Sequence, residues 1–312
     1  MENLLIIYPE LLKEGWFLYL NLVWGGLIAG SFCTMLIYRL PLIIERDYNQ
    51  NPDAKTNHHH ENLSLAFPSS HCPECGKGIP VYLNLPLLGY LLARGKCSKC
   101  AAKIAWYYPV TEMLCVFSAL LAGWLLGASP NLLPLLLLFW ALITLSIIDW
   151  RSGLLPDQLT LGIIWTGLLF NSLMPSSIPY ASLPQAIIGV VAVYVFLSLM
   201  NALYYIIRRR IGIGGGDIKL FAGLAAYFGW QGLLPLLFFA SISGLMFFIL
   251  VVLSKVVFIK ATISSKESSS SNALLSEQKW GPHIALAAII YLLLFHLSPD
   301  LLGLFVPVNN YR

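Results

Sequence analysis

Charged side chains are scarce in this chain. Asp, Glu, Lys and Arg together make up 11% of its 312 residues, whereas hydrophobic residues make up 58%. Soluble globular domains contain about 25% charged and about 45–50% apolar residues, so the composition excludes that class. We predict a polytopic membrane protein, all-α because its apolar segments have roughly the length of transmembrane helices.

Two common hydrolase signatures are also missing. The sequence has no Gly-x-Ser-x-Gly elbow, which excludes the nucleophilic serine of that motif, and no His-Glu-x-x-His zinc-protease motif. The histidines within apolar segments, His283 and His296, have no obvious partners for a catalytic triad. Any catalytic chemistry must therefore come from the few carboxylates.

We count eight apolar segments that are candidates for membrane spans, with seven or nine as alternatives. A helix needs about 20 residues to cross the hydrocarbon core. The sixth segment is short, and the break at Gly229-Trp230-Gln231 makes its separation from the seventh the least certain division. The candidate spans are residues 16–38, 110–128, 131–148, 158–175, 184–206, 218–229, 231–254 and 282–296.

The positive charges predict an orientation. If the N-terminus lies outside and eight spans alternate, every Lys and Arg except Lys13 and Arg312 falls on the inside. Such a bias is typical of cytoplasmic loops and supports this topology. It also places Asp149 and Asp217 on the same, cytoplasmic, side. The net charge of +4 is then explained by orientation in the lipid bilayer, and we expect no nucleic-acid partner.

Four of the six cysteines lie in residues 39–109, the one sizeable polar region. They form two Cys-x-x-Cys pairs, Cys72 with Cys75 and Cys97 with Cys100, separated by 21 residues. Two such pairs can supply four thiolates to a tetrahedral Zn²⁺, as in a zinc ribbon, whereas the alternative of disulfides is disfavoured in the cytoplasm. Four thiolate ligands leave no position for water, so the predicted zinc is structural.

Asp217 follows three consecutive glycines, Gly214, Gly215 and Gly216, at the boundary of an apolar segment. A carboxylate at the edge of a membrane is costly to desolvate and needs a reason. One reason is a helix N-cap for the following span. The glycines favour a functional role, because a cap needs no such flexible backbone and because glycines leave room for another chain to approach.

A second isolated carboxylate, Asp149, ends the apolar segment that precedes it. Taken alone, it is equally well explained as an interface residue paired with Arg151. Taken with Asp217, it forms a pair that can share one proton and activate a water, as in an aspartyl protease. The apparent pKa values of such a dyad belong to the pair, so acid and base are not assigned individually.

Two further acids have structural explanations. Asp157 follows Pro156 and is predicted to be the N-cap of the fourth span. Glu112 opens the second span, either as a first-turn acid favoured by the helix dipole or as a polar group facing the site.

Several motifs together resemble those of a known family. Each motif is weak alone, but their order and spacing are highly specific. The matching segments are Gly30–Phe32, Tyr38–Pro41, the two cysteine pairs with Leu85–Tyr90 between them, Tyr108–Glu112, Ile148–Leu161, Gly214–Leu220 and Gly281-Pro282. This succession resembles the type IV prepilin peptidases, the bacterial inner-membrane leader peptidases of pilus assembly and type II secretion.

The resemblance implies an enzyme that cuts the basic leader from prepilins and pseudopilins on the cytoplasmic side, just after a glycine. It implies Asp149 and Asp217 as the catalytic pair, with Asp157, Lys219 and Glu112 in supporting roles beside the three glycines. Members with the zinc loop also methylate the new N-terminal amine, so S-adenosylmethionine is the expected methyl donor.

The chain is expected to comprise an N-terminal segment with the first transmembrane helix (1–38), a cytoplasmic zinc-binding domain (39–109) and a transmembrane aspartyl peptidase domain (110–312). Three other functions stay open: a peptidase without methyl transfer, a proton-coupled transporter and a zinc-ribbon scaffold. A transporter buries its carboxylates near the bilayer midplane, whereas both aspartates lie at the cytoplasmic ends of their segments. Eight spans are more than a scaffold's anchor requires.

Overall fold

The structure is a computed structural model that describes residues 15–48, 64–174, 181–261 and 279–298. Within these ranges the chain is helical, and its β-structure is limited to two isolated bridges. The predicted all-α class is confirmed.

Each of the eight predicted spans corresponds to one helix. The described α-helices are α1 (Gly15–Tyr48), α2 (Leu88–Leu92), α3 (Tyr107–Leu126), α4 (Leu132–Ser152), α5 (Asp157–Leu173), α6 (Leu183–Arg208), α7 (Gly215–Phe228), α8 (Leu233–Ala261) and α9 (Gly281–Leu297). Short 3-10 helices cover Val81–Asn84 and Trp230–Gly232. Only the five-residue α2 has no counterpart among the predicted spans.

Five of the described helical segments are long and apolar enough to cross a membrane on their own. They are α1, α3, α4, α6 and the stretch Trp230–Leu253. The remaining three candidates, α5, α7 and α9, contain 17, 14 and 17 residues. A count of eight crossings therefore remains a prediction.

The shortest of these, α7, is buried by protein. Every residue from Leu220 to Gly229 is buried, and the helix packs against α5, α6 and α9. At 14 residues it is about 21 Å long, which is less than the roughly 30 Å of the hydrocarbon core. Glycines bring the neighbouring helices close: a Cβ on Gly167 of α5 would meet the Ala226 Cβ at 2.8 Å.

The chain divides into two compact units, Met1–Ile148 and Asp149–Arg312, with the boundary inside α4. In the first unit, α1 packs along α3, and Gly26 permits the contact because a Cβ there would lie 2.7 Å from the Val116 Cα. The predicted domains, divided after residues 38 and 109, were defined by polarity along the sequence and not by compactness. They remain a prediction.

Helix α1 extends ten residues beyond the predicted end of the first span at residue 38, through Pro41 to Tyr48. The guanidinium of Arg39 explains part of this extension. It is buried and donates hydrogen bonds to three backbone carbonyls of the segment that leads into the cysteine region, those of Ser64, Leu65 and Pro68. A buried charge requires such partners, so this part of α1 is held against the loop.

Candidate active site and metal centre

Asp149 lies in the last turn of α4 and is buried, with 5% of its surface exposed. The C-terminus of a helix carries a partial negative charge, so α4 itself disfavours a carboxylate there. A different helix compensates: the backbone N–H of Gly281, the first residue of α9, donates to Asp149 Oδ2 at 2.8 Å. The carboxylate that ends one helix therefore contacts the beginning of another.

The turn that follows Asp149 is closed by glycine. Gly153 has a φ of +68°, in the left-handed region, and its N–H donates to the Asp149 carbonyl at 2.8 Å. Glycine is the usual residue for this helix ending, because side chains disfavour positive φ. The sequence left open a pair with Arg151, whereas the partner that the structure gives the Asp149 carboxylate is the Gly281 N–H of α9.

Asp217 is the third residue of α7, and Gly214 is the N-cap. The N-cap interpretation of Asp217 is therefore wrong by three positions. Its carboxylate instead faces back toward the backbone N–H of Gly214, the arrangement that an acid at the third helical position makes with the cap residue. Asp217 is buried, with 9% exposed; its place in the first turn favours a negative charge through the helix dipole, whereas its burial disfavours one.

The structure brings the two aspartates into one environment. Both belong to the unit Asp149–Arg312, and the charge of Asp149 disfavours the ionised form of Asp217. Neither carboxylate forms an ion pair among the described residues. Two buried acids at this proximity disfavour double ionisation, which is the condition for sharing a proton.

The three glycines before Asp217 have different surroundings. A Cβ on Gly216 would lie 2.6 Å from the Leu155 Cβ, so this position is packed against the loop after α4. A Cβ on Gly215 would meet nothing within 4 Å. Gly214 and Gly215 are exposed although Asp217 is buried, so the backbone before the acid is open to an approaching chain.

Asp157 and Lys219 form an ion pair, with Lys219 Nζ 2.6 Å from Asp157 Oδ1. Pro156 is the N-cap of α5 and Asp157 its first residue, so the predicted N-cap role of Asp157 is wrong by one position. The carboxylate is oriented toward α7 by the lysine. The pair thereby joins the first turn of α5 to the helix that carries Asp217.

Glu112 belongs to the other unit. It lies in the second turn of α3, beyond the first-turn position, and accepts a hydrogen bond from the backbone N–H of Leu87 at 2.7 Å. Leu87 has a φ of +57°, which is unusual for a residue with a branched side chain and requires support from its surroundings. The contact ties Glu112 to the segment before α2.

The four cysteines of residues 39–109 converge. All four sulfur atoms lie within 4.8 Å of one another, and Cys72 Sγ is 3.8 Å from Cys100 Sγ. Zn–S bonds of about 2.3 Å in a tetrahedron place neighbouring sulfurs about 3.8 Å apart, so the arrangement fits a tetrahedral thiolate site. Four clustered cysteines can therefore hold a metal ion.

The two cysteine pairs have nearly the same backbone. In each, the residue after the second cysteine has positive φ, +66° at Gly76 and +59° at Ala101. The N–H of that residue donates to the carbonyl of the first cysteine, at 2.9 Å in both pairs. Glycine adopts this conformation readily in the first pair, whereas the alanine in the second pair occupies it at a cost.

Hydrogen bonds prepare Cys97 for a metal ion. The backbone N–H of Lys99 donates to Cys97 Sγ at 3.4 Å. This contact, with a second from the backbone of Cys100, lowers the pKa of Cys97 to about 6. Metals bind the thiolate, so the local backbone favours the ligating form.

Comparison with known proteins places the chain in a family. Residues 25–126 match the bacterial peptidase A24 N-terminal domain, and residues 136–249 match the type IV leader peptidase family. A protein of Dickeya chrysanthemi named prepilin leader peptidase/N-methyltransferase is 39% identical over 245 residues, which are 77% of this chain and 84% of that protein. The chain belongs to the type IV leader peptidase family.

Other proteins with the same name have similar sequence identity to this chain and similar coverage of it. The protein from Pseudomonas putida is 37% identical over 222 residues, covering 70% of this chain and 76% of that protein. The protein from Legionella pneumophila is 36% identical over 250 residues, covering 78% and 83%. No solved structure matches the chain. As a member of the type IV leader peptidase family with several long apolar helices, this chain is a multi-pass protein of the bacterial inner membrane.

Sequence reasoning missed three residues of these sites. The sequence identifies Gly281 only as part of the Gly281-Pro282 motif, although its N–H donates to Asp149. Lys279 was counted only as a cytoplasmic charge, although its Nζ donates to the Trp150 carbonyl at 2.6 Å. Arg39 was seen only within a motif; an arginine at the end of an apolar span was the signal that it has buried partners.

Proposed function

We propose that this chain is an aspartyl endopeptidase that removes the basic leader from type IV prepilins and type II secretion pseudopilins, and that it methylates the new N-terminal amine. The observation that carries the proposal is the pair of buried, interacting carboxylates Asp149 and Asp217 in a member of this family. Relatives named prepilin leader peptidase/N-methyltransferase support the choice of substrate and the second activity.

The dyad performs the hydrolysis with one shared proton. The ionised carboxylate takes a proton from a water as the water oxygen attacks the scissile carbonyl carbon, and the protonated carboxyl donates its proton to the carbonyl oxygen. When the C–N bond breaks, the leaving amine takes a proton from the acid formed in the first step, and the other carboxylate takes back a proton from one of the two hydroxyls as the new carbonyl forms. No bound cation is required at either aspartate for this sequence of proton transfers.

The exposed backbone at Gly214 and Gly215 is the proposed place where the substrate lies. Extended peptides bind by backbone hydrogen bonds when no side chains obstruct their approach. The two glycines lie three and two positions before the buried Asp217, so a chain that follows them would bring its scissile bond toward the acid. The basic leader remains in the cytoplasm, on the side to which the charge distribution assigns both aspartates.

The ion at the four cysteines is proposed to be a structural zinc. Cys72, Cys75, Cys97 and Cys100 would hold it, and bound zinc would cross-link the two turns of the cytoplasmic domain proposed for residues 39–109. All four ligands come from the protein, so no coordination position is left for a substrate. The peptidase chemistry is assigned to residues 110–312.

Methyl transfer requires S-adenosylmethionine as the donor of the methyl group. The support for this activity is that similar proteins are named N-methyltransferases. None of the residues described above is assigned to it. We assign it to the same polypeptide because the matched residues include both family regions, 25–126 and 136–249.

The experiment is an intact-mass measurement. Purified enzyme is incubated with a prepilin, with and without S-adenosylmethionine. Loss of a leader-sized mass tests cleavage, and a further gain of one methyl group in the presence of the donor tests the second activity. Cleavage without the methyl gain would restrict the function to a peptidase, and an unchanged substrate would contradict the proposal and favour a transporter.

A further inference from the structure

The hydrogen bond between Asp149 and Gly281 connects residues that are 132 positions apart in the sequence. Gly281 is the first residue of α9, and the first four N–H groups of a helix have no partner within that helix. One of these free donors is used to hold Asp149 Oδ2. The position of the carboxylate therefore depends on where the last helix begins.

Gly281 also determines how closely α9 approaches. A Cβ at this position would lie 2.9 Å from the Asp149 Cβ and 2.9 Å from its Oδ2. Real Cβ atoms do not tolerate such distances to a well-packed neighbour, so any side chain at residue 281 would displace the carboxylate or the helix. Glycine is the residue that permits the N–H to reach Asp149.

A second contact lies beside the first. Lys279 Nζ donates to the backbone carbonyl of Trp150 at 2.6 Å. Trp150 follows Asp149 directly and lies among the last four residues of α4. The carbonyls of these four residues receive no hydrogen bond from within the helix. A lysine at this end also complements the helix dipole. Adjacent residues of α4 are thus bound by Lys279 and Gly281 of one short segment.

We propose that the segment 279–281 is a positioning element for Asp149, which rests on the proposed role of Asp149 in peptide cleavage. The N–H of Gly281 fixes the carboxylate through Oδ2 and leaves Oδ1 to face the attacking water. Lys279 fixes the end of α4 so that this hydrogen bond is kept. Neither residue touches the substrate; both act through Asp149.

Gly281→Ala tests the close approach. The variant is expected to lower kcat for prepilin cleavage about a hundredfold with little change in KM, because displacement of a reacting group by about 1 Å has an effect of that size. The matched control is Gly162→Ala. Gly162 is a helical glycine of α5 where a Cβ would meet nothing within 4 Å, so its kcat should equal that of the wild type.

Lys279 provides a second test that does not depend on a steric change. Lys279→Met removes the donor and keeps most of the apolar stem, and is expected to lower kcat about tenfold at unchanged KM. Lys279→Arg keeps a donor and should restore most of the loss. Lys103→Met, in the other unit, controls for the removal of a positive charge and should leave kcat unchanged.

Thermal unfolding and zinc content are measured for every variant. If Gly281→Ala does not fold, the Lys279 series decides. Wild-type kcat in Lys279→Met, or a loss that Lys279→Arg does not restore, would overturn the inference, as would a change confined to KM. Asp149→Asn is measured in parallel: if it still cleaves, the proposed function fails, whereas an inactive Asp149→Asn with fully active 279 and 281 variants overturns the positioning role alone.

Discussion

Lys219 Nζ lies 2.6 Å from Asp157 Oδ1, and this ion pair joins the first turn of α5 to the second turn of α7. The two side chains are 29% and 57% exposed, so water screens the attraction. Asp217 lies two residues before Lys219 on the same helix. The pair therefore contributes more to the orientation of that helix than to overall stability.

A double-mutant cycle measures both effects. Asp157→Asn, Lys219→Met and the double variant should show a coupling of about 0.5 kcal/mol in the free energy of unfolding, because the pair is partly exposed. Each single variant should lower the cleavage rate severalfold, and the double variant should be no worse than the singles. Arg46 and Asp47, an exposed pair of α1, provide the control: their variants should leave cleavage unchanged.

Replacing Gly215 or Gly216 by alanine should change the free energy of unfolding by different amounts. Gly216→Ala should destabilise the protein by about 1–3 kcal/mol, because the new Cβ would lie 2.6 Å from the Leu155 Cβ. Gly215→Ala should leave the free energy of unfolding nearly unchanged, because its Cβ would meet nothing within 4 Å. Any loss of cleavage in Gly215→Ala then reports a contact with substrate. Equal destabilisation by both variants, measured by thermal unfolding, would contradict this packing.

Metal content tests the cysteine cluster. Elemental analysis of the purified protein should give about one zinc per chain, and Cys72→Ser should lose it because three thiolates hold the ion less tightly than four. Cys115→Ser is the matched control: this cysteine is buried in α3, away from the converging sulfurs, and the variant should retain its zinc. Zinc retained in Cys72→Ser would rule out the four-thiolate site.

Exchanging glycine and alanine at Gly76 and Ala101, the residues after the second cysteine of each pair, should have opposite effects on the rate at which a chelator removes zinc. Ala101 has a φ of +59°, so Ala101→Gly should relieve strain by about 1 kcal/mol and slow the removal of zinc by a chelator. Gly76→Ala introduces the same strain at a φ of +66° and should speed it. Chelator competition measures both, and a shift of the two variants in the same direction would refute the conformational argument.

The helices were predictable from the sequence, because long apolar runs are required of any segment that crosses a membrane. Their first residues were not. Asp157 is predicted from the sequence to be an N-cap, and an N-cap is the alternative explanation for Asp217, but both lie inside their helices. Capping preference is a local rule, whereas Lys219 orients Asp157 from another helix and Gly214 takes the cap position before Asp217.

The candidate site was predictable in its residue types and not in its contacts. An isolated carboxylate beside glycines is visible in the sequence, but which glycine is packed depends on Leu155, 61 residues before Gly216. The hydrogen bond from Gly281 to Asp149 joins residues of the second unit that are 132 positions apart in the sequence. Such pairings follow from how helices pack, and one sequence carries no local pattern for them.

The central claim is that Asp149 and Asp217 together hydrolyse the peptide bond, and the most direct test is the intact mass of prepilin after incubation with Asp149→Asn and with Asp217→Asn. Asparagine keeps the size of the side chain but cannot exchange the required proton, so each variant should lose at least about 10²- to 10⁴-fold in rate. Both should retain their zinc and their thermal unfolding transition. A leader-sized mass loss at the wild-type rate in either variant would contradict the account.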